Sequence, residues 1–193
     1  MLFLDSEAML RKARALYLSG CTHTAVGLLG RILQYDREDP EVYFLRGCCY
    51  SQMADFPSAL EDFDSCLRLD PSDPEAHLEK GNVHQYMGDR DKAIECYETA
   101  QALDPFCSNA VYNLGSMYLD AGDLPEAADC FLRVAQLRPW DVDSLNNLAV
   151  CYASMGREEE ARSILERAVT IDQDHEDAPV NLHILERRGA GRP

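Results

Sequence analysis

Apolar residues in this chain recur at helical spacing in short blocks, and the blocks themselves repeat. Val111, Leu114 and Tyr118 fall on one helical stripe, and Ala127, Ala128, Phe131, Val134 and Leu137 form a second after a break. Such spacing predicts two amphipathic helices. Between them, Asp120-Ala121-Gly122-Asp123 reads as a turn. Glycine takes the left-handed conformation that ends one helix, and aspartate caps the next. Gly20, Gly88 and Gly156 mark the same turn elsewhere. Asp39-Pro40 and Asp73-Pro74 are start signals, while Pro71, Pro105 and Pro139 close second helices.

The blocks have a fixed period. Ala25, Ala59, Ala93, Ala127 and Ala161 stand 34 residues apart, and Gly47, Gly81 and Gly115 keep the same step. This period defines units 6–39, 40–73, 74–107, 108–141 and 142–175, then a capping helix over 176–188 and a loop-like tail over 189–193. Small residues at 13, 47, 81, 115 and 149 let the two helices of a pair approach closely, and Phe63, Tyr97, Phe131 and Leu165 share a bulky slot. One pair cannot bury its apolar stripe alone, so neighbours must stack. The expected fold is therefore all-α: an α-solenoid of antiparallel helix pairs, about five repeats plus a C-terminal helix, forming a single domain over residues 1–193.

Charge narrows the choice of partner. The 193 residues carry a net charge of −16, which repels phosphate backbones and argues against nucleic acid. No apolar run is long enough to insert into a membrane. Met1-Leu2-Phe3-Leu4-Asp5 reaches charge too soon for a secretion signal, so a cytoplasmic location is expected. None of the eight cysteines forms a Cys-x-x-Cys pair. Cys66 fills a slot held elsewhere by Ala100, Val134 and Ala168, which suits reduced thiols in the core.

Together, the small-Gly positions 47, 81 and 115, the aromatics at 50, 118 and 152, the alanine row, the bulky row and the prolines at 71, 105 and 139 resemble the tetratricopeptide repeat. The resemblance spans residues 6–188. It departs mildly at Arg37, Gln173, Arg46, Lys80 and His84. It implies a right-handed superhelix whose first helices line a concave groove, where a peptide or partner segment is usually held.

That implied groove carries three sets of residues. Asn113, Asn147 and Asn181 occupy one repeat position and form a ladder, helped by Asn82 and Asn146. A carboxamide both donates and accepts, so such a ladder can grip a peptide backbone; the alternative is a polar residue merely tolerated at that slot. Phe44, Leu78 and Tyr112, with Leu45 and Cys48 nearby, would seat an apolar anchor if exposed. Helix rotation or a covering segment of the same chain would instead bury them. Glu41, Glu75 and Glu79 would favour a basic partner, or else complement helix dipoles. The cationic clamp with which repeat co-chaperones hold acidic heat-shock tails has no counterpart. Its positions fall on Phe44, Cys48, Glu79, Asn109 and Asn113, or one unit later on Leu78, Asn82, Asn113, Asp143 and Asn147.

No metalloprotease, phosphate-loop, nucleophile-elbow or dinucleotide motif is present, and no cofactor or metal is expected. Asp172-Gln173-Asp174 begins like a calcium loop but lacks its glycine and final glutamate. The sequence thus points to a non-enzymatic adaptor or scaffold. Its alternative is a structural subunit of a larger assembly, such as a ciliary or transport complex, using its ends or convex face. Self-association through the C-terminal half-repeat is a third possibility.

Overall fold

The structure, a computed structural model, describes residues 6–190, which form α-helices joined by short turns. In chain order these are α1 (Ser6–Leu18), α2 (Thr22–Leu33), α3 (Pro40–Gln52), α4 (Phe56–Leu69), α5 (Pro74–Met87), α6 (Arg90–Leu103), α7 (Ser108–Ala121), α8 (Leu124–Leu137), α9 (Val142–Ser154), α10 (Glu158–Ile171) and α11 (Ala178–Ala190). Helices α1–α6 belong to one compact unit and α7–α11 to another. Helix α11 continues to Ala190, past the expected end at 188; residues 191–193, and the apolar start over 1–5, lie outside the described residues.

Local chemistry sets the helix ends. Asp39 accepts from Glu41 N (3.0 Å), Asp73 from Glu75 N (2.9 Å) and Asp141 from Ser144 N (2.9 Å), each satisfying a donor of the first turn. Cys107 stands at the equivalent N-cap of α7, and Cys21 at the N-cap of α2, neither with a side-chain capping bond. Within the pairs, Gly20, Gly88, Gly122 and Gly156 take φ of +76 to +83°, and the equivalent Ala54 is forced to +56°.

Packing explains the small-residue slot. A Cβ at Gly47 would lie 2.8 Å from the Phe63 ring, one at Gly81 2.7 Å from the Tyr97 ring, and one at Gly115 2.9 Å from Cys130 Cβ and 3.1 Å from the Phe131 ring. The flanking pairs use the other solution: Ala13 shares a core cluster with Leu29, and Ala149 with Leu165. Glycine thus goes with a ring and alanine with leucine, so the volume across each pair stays near constant.

Two positions break the apolar pattern. Arg46 and Asp62 pair through two hydrogen bonds of 2.7 and 2.6 Å, with the Asp62 side chain only 3% exposed. The same slots further along hold Leu148 and Ile164, packed in one apolar cluster. Lys80, equivalent to Arg46, instead reaches Asp64 at 2.6 Å.

The cysteines divide by location. Cys48, Cys49, Cys66, Cys96 and Cys151 are buried, Cys107 and Cys130 half-buried, and all eight are free thiols. Cys21 is exposed, which corrects the expectation of a uniformly internal set: it occupies a cap position at a helix start, not a packing slot.

Candidate functional site

In the first unit, the C-terminal half of α3, the start of α4 and α5 enclose a recess of about 420 Å³. Ser51, Gln52, Ala54, Phe56, Glu79, Asn82 and Tyr86 line it. Phe56 and Tyr86 stack with centroids 5.9 Å apart and planes 4° from parallel. Tyr86 is 75% exposed, so its outer surface faces solvent. Glu79 is half-buried and accepts from Asn82 Nδ2 at 3.3 Å. Burial pushes its carboxyl above the ordinary value, the Asn82 bond opposes this, and Glu75 adds repulsion. The Tyr97 hydroxyl lies 2.9 Å from Asn82 Oδ1 and fixes that carboxamide from below.

The other acids behave differently. Glu41 forms an ion pair with Arg14, so its charge is already engaged within the unit. Glu75 is exposed in the first turn of α5.

In the second unit, the ladder residues bond across neighbouring first helices. Asn147 Nδ2 donates to Tyr112 Oη (3.1 Å), and Asn181 Nδ2 donates to Asn146 Oδ1 (2.9 Å). Each donor carboxamide is half-buried and uses one N–H in this way, which leaves capacity for further bonds. Asn113 is half-buried at the head of the row. Beside Asn181, a recess of about 210 Å³ is lined by Val150, Ala153, Ser154, Ile184 and Arg188 among others.

Two of the sequence-derived site residues are corrected by burial. Leu78 is 5% exposed and Asn146 is 5% exposed, so neither presents its side chain to a groove. Leu45 (6%) and Cys48 (7%) are likewise internal. Phe44, Tyr112, Leu78 and Asn146 occupy one repeat position. The larger rings of Phe44 and Tyr112 are half-buried there and lean on the core: Phe44 lies 6.1 Å from Phe63, and Tyr112 lies edge-on to Phe131 at 5.6 Å. The sequence reading missed the Phe56–Tyr86 stack. Tyr86 sits just before Gly88, and the available signal was two aromatics flanking turns of successive pairs.

Among the described residues, no group of three or more His, Cys, Asp and Glu is placed to hold a metal ion. No described helix is long and apolar enough to cross a membrane.

Family models described as tetratricopeptide repeat match residues 40–73, 78–141 and 118–180. No curated protein sequence matches the chain. Among solved structures, the MamA 41-end protein of Desulfovibrio magneticus RS-1 is similar, with a TM-score of 0.78 at 18% identity over 92% of this chain and 100% of that one. YrrB, described as a TPR protein with an unusual peptide-binding site, gives 0.75 at 22% identity over 92% and 91%. The thermophilic TPR protein TTC0263 of Thermus thermophilus gives 0.63 at 19% identity over 94% and 99%. At these identities the likeness concerns the fold.

Proposed function

Because the chain belongs to the tetratricopeptide repeat family, we propose that it is a non-enzymatic protein-interaction module that holds a peptide or partner segment against its first helices. The observation that carries this reading is the row of half-buried carboxamides on α7, α9 and α11, in which Asn147 and Asn181 are each oriented by a hydrogen bond from one first helix to the one before. A preset amide binds a peptide backbone with less lost side-chain entropy than a free one. Two recesses, one in each unit, add places for side chains of the bound segment. The similarity to YrrB, described as having a peptide-binding site, is in keeping with this role.

Binding to arrayed peptides tests the proposal. Wild-type protein is expected to retain a subset of peptides, and Asn147→Ala to weaken retention about tenfold by removing an oriented donor and acceptor. Retention that survives Asn147→Ala and Asn181→Ala together would sink the ladder as the gripping element. A second reading, assembly through the C-terminal helix, draws support from Val180 (56% exposed) and Ile184 (42%) on α11. Loss of partner capture on Val180→Ser/Ile184→Ser, with capture unchanged in Asn147→Ala, would favour it.

A further inference from the structure

The first-unit recess contains a carboxylate that no cation among the described residues neutralises. Glu79 is half-buried, and no Lys, Arg or His among the described residues forms an ion pair with it. Taking a carboxylate partly out of water without a counter-ion is unfavourable, and Glu75 makes the position more negative still. Two other carboxylates of this unit are treated differently: Asp62 has Arg46, and Glu41 has Arg14. Beside Glu79 the recess also presents hydrogen-bonding atoms from Gln52 and Asn82 and the open surface of Tyr86. Phe56 lies parallel to that ring, with centroids 5.9 Å apart, and braces the phenol.

We propose that this recess is a receptor for the guanidinium of an arginine side chain in the bound partner. Three features select that group. A single carboxylate supplies the opposite charge, and its two oxygens match the guanidinium fork. The exposed ring offers a stacking surface that a planar cation uses better than a tetrahedral ammonium. The Gln52 side-chain carbonyl, on the same recess wall, can accept a further N–H group. A volume of about 420 Å³ accommodates the side chain with its stem. The inference rests on the peptide-binding reading above and adds the chemistry of one side chain to it.

The test uses the full chain and small probes, so it stands apart from peptide capture. N-acetyl-arginine methylamide is titrated while side-chain amide and aromatic resonances are followed by NMR, with the lysine and citrulline analogues as controls. The arginine probe is expected to shift the Gln52 and Asn82 amides and the Tyr86 ring, and to bind at least about fivefold tighter than the lysine probe. Citrulline, equal in shape but neutral, should leave these signals in place. Glu79→Gln should weaken arginine binding about tenfold and Tyr86→Ala about threefold, with circular dichroism confirming that both variants fold. Equal responses to arginine and citrulline, or arginine binding that survives Glu79→Gln, would overturn the assignment. So would a lysine probe that binds as well as arginine. Peptides retained on the array without any arginine, alongside a silent titration, would reject this receptor and leave the peptide-binding reading standing.

Discussion

Gly81 and Tyr97 fill one space between them: a Cβ at 81 would lie 2.7 Å from Tyr97 Cε1. The ring has nowhere to retreat, being fully buried with its hydroxyl 2.9 Å from Asn82 Oδ1 and 2.7 Å from Gln85 Oε1. Gly81→Ala gains up to about 1 kcal/mol of helix propensity and loses about 1–3 kcal/mol to overpacking, so a net loss is expected. In the Tyr97→Leu background the same alanine should cost nothing or stabilise, because Ala13 and Ala149 already pair with Leu29 and Leu165. A double-mutant cycle in urea would measure this coupling, and a value near zero would refute the shared-volume account.

The Arg46–Asp62 pair is expected to be costly to break and inexpensive to replace. Asp62→Leu alone leaves a guanidinium facing the interior and should cost about 3 kcal/mol or more. Arg46→Leu with Asp62→Ile recreates the apolar pairing seen at Leu148 and Ile164. Chemical denaturation should place the double variant within about 1 kcal/mol of wild type, and above Asp62→Leu in every case.

Ala54 holds a left-handed backbone, φ +56°, where the four equivalent turns use glycine. The steric cost of a Cβ there, about 1 kcal/mol, exceeds the extra unfolded-chain entropy that glycine brings. Ala54→Gly should therefore raise the melting temperature by a few degrees or less. A lowered one would mean that the alanine methyl contributes more in contacts than it loses in strain.

Stability should rise as the pH is lowered from neutrality towards the ordinary carboxylate range. The folded pKa of Glu79 is raised, so its stabilising effect is fully present below the unfolded-state value and is lost as pH rises through the folded one. Asp70 and Glu160, held low by their hydrogen bonds, act in the opposite sense and only at more acid pH. Glu79→Gln is expected to stabilise the protein at pH 7 and to have no such benefit near pH 4. Melting curves of the two proteins across this range would show the lines converging; parallel lines would contradict the burial argument.

Thiol labelling should follow location closely. Burial pushes Cys49 and Cys151 up to about 11 and Cys66 up to about 12, and raises Cys48 further still. These thiols present almost no thiolate at neutral pH. Cys21, exposed at the start of α2, is expected to be alkylated first, with Cys48, Cys49, Cys66 and Cys151 reacting only after unfolding. Peptide mass spectrometry of a timed iodoacetamide reaction would settle the order.

The periodic positions told where each helix lies but not how far it is turned about its own axis. Helices α3 and α9 begin at Pro40 and Val142, each directly after an aspartate cap, which is a local signal. Exposure is decided by neighbours. Leu78 and Asn146 share a repeat position with Phe44 and Tyr112, yet the shorter side chains are buried and the two rings only half-buried. The ladder bonds were equally invisible, since Asn147 meets Tyr112 and Asn181 meets Asn146 only once neighbouring pairs stack.

The coupling of glycine to rings and alanine to leucine has a consequence for how such a chain can be lengthened or shuffled. A whole hairpin carries both members of its matched set and can be duplicated or transplanted intact. A lone helix exchanged between a central hairpin and a flanking one arrives with either a clash or a hole opposite it. Inheritance and engineering alike must therefore treat the pair, cut at the turns before α3, α5, α7 and α9, as the indivisible part.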